Sequence, residues 1–303
     1  MLKRAVYALA DKPGLTAWVS RHGMRWGFAQ RFIAGEAIDD VWPAIQELRD
    51  ENMSVTLDYL GESVNDVDAT RIVTDTYCAI LDELKQRDNA ASVSLKPTQV
   101  GLSIDTELAR DNIGKIVAHA QELGNFIRVD MEDSSATAAT LDVFKSLRSE
   151  YDNVGVVVQT YLHRTEDDVR ELNAIGAQLR LCKGAYKEPA AVACQAKSEV
   201  DGNYIKLAEL LLQEGNYPAF ATHDDRIVDH ITNYVERHGI ARDRFEFQML
   251  YGVRRDYQRE IAAAGYNIKI YVPFGAEWCP YFMRRIAERP ANALFVMRAL
   301  LRG

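Results

Sequence analysis

The sequence is poor in the features that mark several large protein classes. It has four cysteines, Cys78, Cys182, Cys194 and Cys279, widely separated and without a CxxC pair. That spacing excludes a disulfide framework and a structural zinc site, and it reads as reduced thiols in a reducing compartment. No stretch approaches the roughly 20 apolar residues of a membrane span, so any membrane contact is expected to be peripheral. The start, MLKRAVYALADKPG, is basic, but its apolar run is too short for a secretory signal. Clustered Lys/Arg runs are absent and the net charge is −8, which argues against a nucleic-acid partner. No GxGxxG follows a strand pattern, so a Rossmann-bound dinucleotide is not expected, and no Ser or Cys sits in a nucleophile elbow.

What is present is core-forming material in a regular order. Nearly half of the 303 residues are hydrophobic. The first fifty look helical, with Arg25 to Ala34 and Asp40 to Glu51 carrying apolar residues at mixed helical spacing, and residues 1–52 read as an N-terminal helical arm. Residues 53–303 alternate short β-rich runs with longer amphipathic patterns, the signal for parallel βα units. The runs are Ser54 to Leu60, Ala91 to Lys96, Phe126 to Met131, Val154 to Thr160, Gln178 to Cys182, Ala219 to Thr222, Phe245 to Met249 and Asn267 to Val272. Asp75 to Gln86 and Tyr204 to Gln213 are among the helical stretches between them. Eight strands, each followed by a helix, predict a (β/α)8 barrel of the TIM-like kind, an α/β fold that is a single domain at about 250 residues.

Polar residues of chemical interest fall at or just past the ends of seven of these strands: Lys96, Asp130, Gln159, Arg180 with Lys183, Thr222 with His223, Gln248, and Tyr271. That end of a barrel carries the active site. After the eighth strand comes a helix on which Tyr281, Arg284, Arg285 and Glu288 share one face at i, i+3, i+4 and i+7. A solvated face with Glu288 as a surface partner explains such a pattern, and so does a clamp for a small anion, because guanidinium forks match a carboxylate. Placement over the barrel mouth favours the clamp. His223 has no second His or Cys at ligand spacing, so no metal is expected. Asp130, Glu132 and Asp133 read either as acid/base carboxylates or as ordinary acids leading into a helix. Lys96 and Lys183 leave a Schiff-base lyase open, and a non-catalytic flavin or amino-acid binder is a further alternative.

The segments RLCKGAYKEP at Arg180 and YVPFGAEWCPYFMRRIAE at Tyr271 resemble those of proline dehydrogenase. SLKPT at Lys96, VDMED at Asp130, VVQTY at Gln159, FATHD at Thr222 and FEFQML at Gln248 keep the same order over residues 53–303. Lys187 stands where bifunctional relatives have an aromatic residue, and the length fits the monofunctional form. The resemblance implies FAD at the barrel mouth, contacted by Gln159, Arg180, Lys183, Gly184, Ala185, Thr222, His223 and Gln248. It implies L-proline as substrate, its carboxylate held by Lys96, Arg284 and Arg285. Tyr186, Leu250, Tyr271 and Tyr281 would wall the ring, with Leu181 behind them and Glu288 in the polar network. Catalytic roles would fall to Arg180, Lys96 and Asp130. A membrane quinone as electron acceptor, a separate pyrroline-5-carboxylate dehydrogenase downstream, and a cytoplasmic protein peripheral on the inner membrane face are also implied.

Overall fold

The computed structural model describes residues 29–288 except Glu62 and Asn89, and the side chains from Arg284 onward lie outside the described residues. Eight parallel strands close into a barrel in sequence order, with the first pairing the eighth. They are β1 (Ser54–Tyr59), β2 (Ser92–Leu95), β3 (Ile127–Val129), β4 (Val154–Gln159), β5 (Gln178–Cys182), β6 (Ala219–Ala221), β7 (Glu246–Leu250) and β8 (Ile268–Phe274). The helices are α1 (Trp42–Asp50) ahead of the barrel, then α2 (Val67–Gln86), α3 (Thr106–Leu123), α4 (Ser134–Arg148), α5 (Thr165–Ala174), α6 (Lys197–Glu214), α7 (Asp225–His238), α8 (Arg255–Ala263) and α9 (Trp278–Glu288). Each predicted run became a strand with ends shifted by at most two residues, as the period-2 pattern requires.

Three helices begin on aspartate caps. Asp66 accepts the Ala69 N–H at 2.8 Å, Asp105 that of Leu108 at 2.9 Å, and Asp133 those of Ser135 and Ala136. Such caps satisfy N–H groups that have no partner inside the helix and contribute about 1 kcal/mol each.

The strands sort their side chains by chemistry. Val55, Leu57, Val93, Leu95, Ile127, Val129, Leu179, Leu181, Phe220 and Phe247 are buried in one apolar shell with helix residues such as Tyr77, Ile113, Phe144 and Ile231. The alternate positions turn inward, and many of them are polar. Thr56 and Ser94 hydrogen-bond at 3.2 Å, Arg128 donates to the Gln178 carbonyl at 2.5 Å, and Lys269 pairs with Glu246 at 3.1 Å. Barrel interiors are ordinarily packed with branched apolar side chains; here charged residues share the inner column with Val157 and Ala221, and the larger core lies outside it. Burial, reinforced by the nearby positive charge of Arg180, pulls the Arg128 guanidinium down to about 9.

The N-terminal expectation is corrected in part. Residues 1–28 lie outside the described residues, and α1 with the 3-10 turn Ile38–Val41 covers the second predicted helix. Residues 29–34, the described part of the first, form a turn in which Phe32 and Ile33 donate to the Ala29 carbonyl. The turn is not continued because Ala34 N–H pairs instead with Pro273 O of β8 at 3.0 Å.

Gly155 on β4 leaves room for the inner arginine. A Cβ there would lie 2.4 Å from Arg128 Nη1 and 2.7 Å from the Gln178 carbonyl oxygen. The guanidinium can give way, but the backbone cannot. Gly155→Ala is therefore expected to destabilise the fold by about 1–3 kcal/mol, the scale of overpacking, as measured by urea unfolding.

Candidate active site

A cavity of about 710 Å³ opens at the C-terminal end of the barrel, within the usual size of small-molecule pockets. Every strand contributes to its lining, at or just past its end. The residues singled out from the sequence gather here: Lys96, Asp130, Gln159, Arg180, Lys183, Gly184, Ala185, Tyr186, Thr222, His223, Gln248, Leu250, Tyr271 and Tyr281. Leu181 does not join them. The alternation of β5 turns it outward into the helix-packing shell, where its carbonyl accepts the Tyr204 hydroxyl at 3.0 Å. Arg284, Arg285 and Glu288 sit on the backbone of α9, and their side chains lie outside the described residues.

The centre of the floor is an arginine network. Arg180 donates from Nη1 to Asp130 Oδ1 at 2.6 Å and from Nη2 to Ser94 Oγ at 3.0 Å, while Nε is buried without a partner. Asp130 Oδ2 accepts the Tyr271 hydroxyl at 2.7 Å. Burial pushes the Asp130 carboxyl up from its ordinary value, opposed by the charges of Arg180 and Lys96. Burial, and the adjacent Asp130 charge, push the Tyr271 phenol well above its ordinary value, so it remains a hydrogen-bond donor. Burial likewise pushes the Cys182 thiol up to about 12, which leaves it inert as a nucleophile.

The two acids after Asp130 have other duties. Glu132 accepts the Thr98 N–H and hydroxyl at 2.9 and 2.7 Å, and Asp133 caps α4. Of the three acids, Asp130 is the one that Arg180 and Tyr271 bond. Gln159 donates to the carbonyls of Met131 and Glu132 at 3.0 and 3.1 Å, leaving Oε1 buried without a partner.

One wall is the loop after β5. Lys183 Nζ donates to Asp201 at 2.6 Å and Asp224 at 2.8 Å, and Lys197 bridges the same two carboxylates. The Lys183 hydrogen bond holds the Asp224 carboxyl below its ordinary range. Burial pushes Asp201 up, but the bonds from Lys183 and Lys197 outweigh it and leave that carboxyl lowered as well. Gly184 has φ +101°, and a Cβ there would stand 2.3 Å from the Tyr161 ring, so only glycine lets the backbone pass. Beyond it, Tyr186 is 40 % exposed and Glu188 accepts the Ser134 N–H and hydroxyl at 2.7 and 2.6 Å. The loop is thus pinned on both sides of Tyr186.

The opposite wall comes from β6 and β7. His223 Nε2 accepts the Leu250 N–H at 2.9 Å, which puts a neutral ring's proton on Nδ1. Arg254, at φ +55°, donates to the His223 carbonyl at 2.8 Å, and Thr222 Oγ1 accepts the Asp224 N–H at 3.1 Å.

Sequence reasoning missed several residues of this site. Asp58, near the end of β1, accepts from Lys96 Nζ at 2.7 Å and supplies the polar residue of the one strand for which none was singled out. The same strand-end rule that found the other seven applies to it. Ser94 lies one turn of the alternation below Lys96 on the inward face. Asp201, Asp224, Glu188 and Arg254 come from loops and helix starts, where no periodicity marks them.

A family model described as proline dehydrogenase matches residues 41–298. Proline dehydrogenase 2 of Bacillus subtilis strain 168 is 40 % identical over 303 residues, covering 99 % of both chains. Proline dehydrogenase of Deinococcus radiodurans is 40 % identical over 308 residues, covering 100 % of this chain and 99 % of that one. Among solved structures, proline utilization A (PutA) from Bdellovibrio bacteriovorus, inactivated by N-propargylglycine, superimposes with a TM-score of 0.81 at 27 % identity. The match covers 86 % of this chain and 32 % of that much longer one. A whole-length likeness at this level, on a barrel whose mouth gathers the residues just described, has one reading: the chain belongs to the proline dehydrogenase family of oxidoreductases.

Proposed function

We propose that this protein oxidises L-proline to Δ1-pyrroline-5-carboxylate, the first step of proline catabolism, with FAD in the mouth of the barrel and a membrane quinone as electron acceptor. The observation that supports the cofactor assignment is the pair of buried, unpartnered polar atoms, Arg180 Nε and Gln159 Oε1, on two residues that line one cavity. Buried polar atoms ordinarily find partners, and each one left unmade costs about 1–3 kcal/mol. A flavin ring, with carbonyl and N–H groups alternating along one edge, would offer acceptors and donors to the polar side chains of these two residues. Lys183, Gly184, Ala185, Thr222, His223 and Gln248 complete the proposed cofactor contacts. When bound, FAD supplies the acceptor for the hydride that leaves C5 of proline.

The chain's own residues bind and orient. Arg284, Arg285 and Lys96 would hold the substrate carboxylate, and Tyr186, Leu250, Tyr271 and Tyr281 would wall the ring, leaving few poses other than the reactive one. Glu288 would orient the two arginines. Asp130 keeps Arg180 and Tyr271 in fixed relation, since each bonds a different oxygen of the one carboxylate. A lysine that forms a Schiff base is activated by an apolar pocket or by another cation. Lys96 and Lys183 both lie against carboxylates, which favours the oxidoreductase over a lyase.

The barrel of residues 53–303 would be the catalytic domain and residues 1–52 an N-terminal helical arm. Among the described residues no helix is long and apolar enough to cross a membrane. Quinone reduction would then take place with a cytoplasmic protein peripheral on the inner membrane face. The product would pass to a separate pyrroline-5-carboxylate dehydrogenase.

The purified protein is expected to be yellow, with a flavin absorbance that bleaches when L-proline is added without oxygen. Retained colour on proline addition would instead favour a flavin-binding barrel that is not a proline oxidant. Arg284→Met and Arg285→Met are each expected to weaken proline binding by about 2–5 kcal/mol, the scale for removing one partner of a desolvated charge pair. Steady-state KM values for proline check this, and unchanged values in both variants would remove the clamp.

A further inference from the structure

The segment between β5 and α6 runs back along the turn that follows β4, and an antiparallel bridge between Ala193 and Leu162 joins the two. The Cys194 N–H donates to the Tyr161 carbonyl at 2.7 Å, and the His163 N–H to the Val192 carbonyl at 3.0 Å. These backbone bonds bring the two side chains together. Cys194 Sγ lies 3.7 Å from His163 Nδ1, within the reach of a sulfur hydrogen bond, and the Asn203 amide on α6 donates to the same sulfur at 3.5 Å. His163 Nε2 is 3.0 Å from the Ala190 carbonyl, a group that can only accept. A neutral ring therefore keeps its proton on Nε2 and turns the Nδ1 lone pair to the thiol.

A nucleophile, a base within reach of it and a third group orienting the base together form the pattern of an activated nucleophile. The thiolate is the reactive form of cysteine, and here an imidazole can take the proton while an amide N–H faces the anion left behind. Two other cysteines offer a contrast. Burial pushes the thiols of Cys78 and Cys182 up, the latter to about 12. His119 shares a cleft with Cys78, but its Nε2 is bonded to Asp82 at 2.8 Å. Cys194 is half-buried beside an exposed His163, and it does not line the barrel mouth, so what reaches it is a small solute.

We infer that Cys194 is a site of oxidative modification, a thiol that His163 and Asn203 make reactive toward hydroperoxides. His163 Nδ1 takes the thiol proton, the sulfur attacks one peroxide oxygen as the O–O bond breaks, and the imidazolium returns the proton to the departing oxygen. With hydrogen peroxide, thiol and peroxide become sulfenic acid and water: an S–O bond forms, sulfur is oxidised by two electrons and the peroxide is reduced. The inference does not depend on the proline reading of the barrel mouth.

The test treats the full chain with iodoacetamide at neutral pH and follows alkylation of each cysteine by mass spectrometry of its peptides. Cys194 is expected to react at least about tenfold faster than Cys78, which is also half-buried. His163→Gln, whose amide cannot take the proton, is expected to slow Cys194 by about tenfold or more. Hydrogen peroxide with dimedone, which traps sulfenic acid, is expected to label Cys194 in the wild type and far less in His163→Gln. Asn203→Ala keeps the imidazole but removes the donor to the sulfur. It is expected to slow both reactions, an independent result should His163→Gln fail to fold. A thiol that is merely accessible would react at the same rate in all three proteins. Rates unchanged in the variants, a Cys194 no faster than Cys78, or a wild-type Cys194 left unlabelled by peroxide and dimedone overturns the inference.

Discussion

The guanidinium of Arg180, 4 % exposed on β5, donates to Asp130 beyond β3 and to Ser94 on β2, and Asp130 in turn accepts from Tyr271 on β8. One side chain thereby ties four strands together across the mouth of the barrel. The arrangement depends on a closed parallel sheet, in which the inward residues of all strands converge on one column. It also depends on the alternation that keeps this column separate from the apolar shell. Ser94 further bonds Thr56 at 3.2 Å, so the chain of contacts reaches β1 as well. The cation of Arg180 also lies over the Tyr271 ring, 5.3 Å from its centroid, close enough for a cation–π contribution.

An inner column of charges is a poor source of stability. Replacing a buried ion pair with packed apolar residues is often neutral or stabilising, because desolvation offsets the attraction. The fold can carry Arg128, Arg180, Asp58, Lys96, Asp130 and the Glu246–Lys269 pair because the outer shell of valine, leucine, isoleucine and phenylalanine supplies the burial on which the barrel stands. A charged interior has value where a charged ligand must be read. Part of the cost falls at the cavity: Asp58 Oδ2, Gln159 Oε1 and Arg180 Nε are buried atoms without partners on residues that line it.

Much of the fold was legible because a strand in a helix-covered barrel advertises itself twice, by apolar alternates and by a polar residue at its end. That double signal marks seven of the eight strands and the end of the barrel at which the polar residues meet, β1 showing only the first sign. It failed where a residue's surroundings come from distant chain. Asp58 is followed by Tyr59 and Leu60, so β1 read as apolar to its end, although its inward position already pairs with Lys96. Leu181 was assigned from its neighbours in a motif, and the period of two puts it on the opposite face from Arg180 and Cys182. The pinning of Lys183 by Asp201 and Asp224 joins three points of the chain that share no local pattern.

The helix that carries Tyr281, Arg284, Arg285 and Glu288 shows the same limit and also its cause. Spacing established which of its residues share a face, but the direction of that face depends on how the helix is seated. Its first residue is held by chain from before the barrel: Trp278 Nε1 donates to Glu36 at 2.9 Å, 242 residues away, and Phe282 packs on Phe32 with ring centroids 6.3 Å apart. Between them Gly275 N–H pairs with Gly35 O at 3.0 Å, and Gly252, at φ +72°, lies so close to the Arg31 carbonyl that an added Cβ would fall 1.7 Å from its oxygen. Three separate segments therefore meet at the base of α9, and two of the contacts need glycine to be made at all. The segment of residues 29–36 is accordingly part of what seats α9. By fixing the base of α9 it sets the course of the helix backbone that carries the two arginines, which no pattern within the helix could encode.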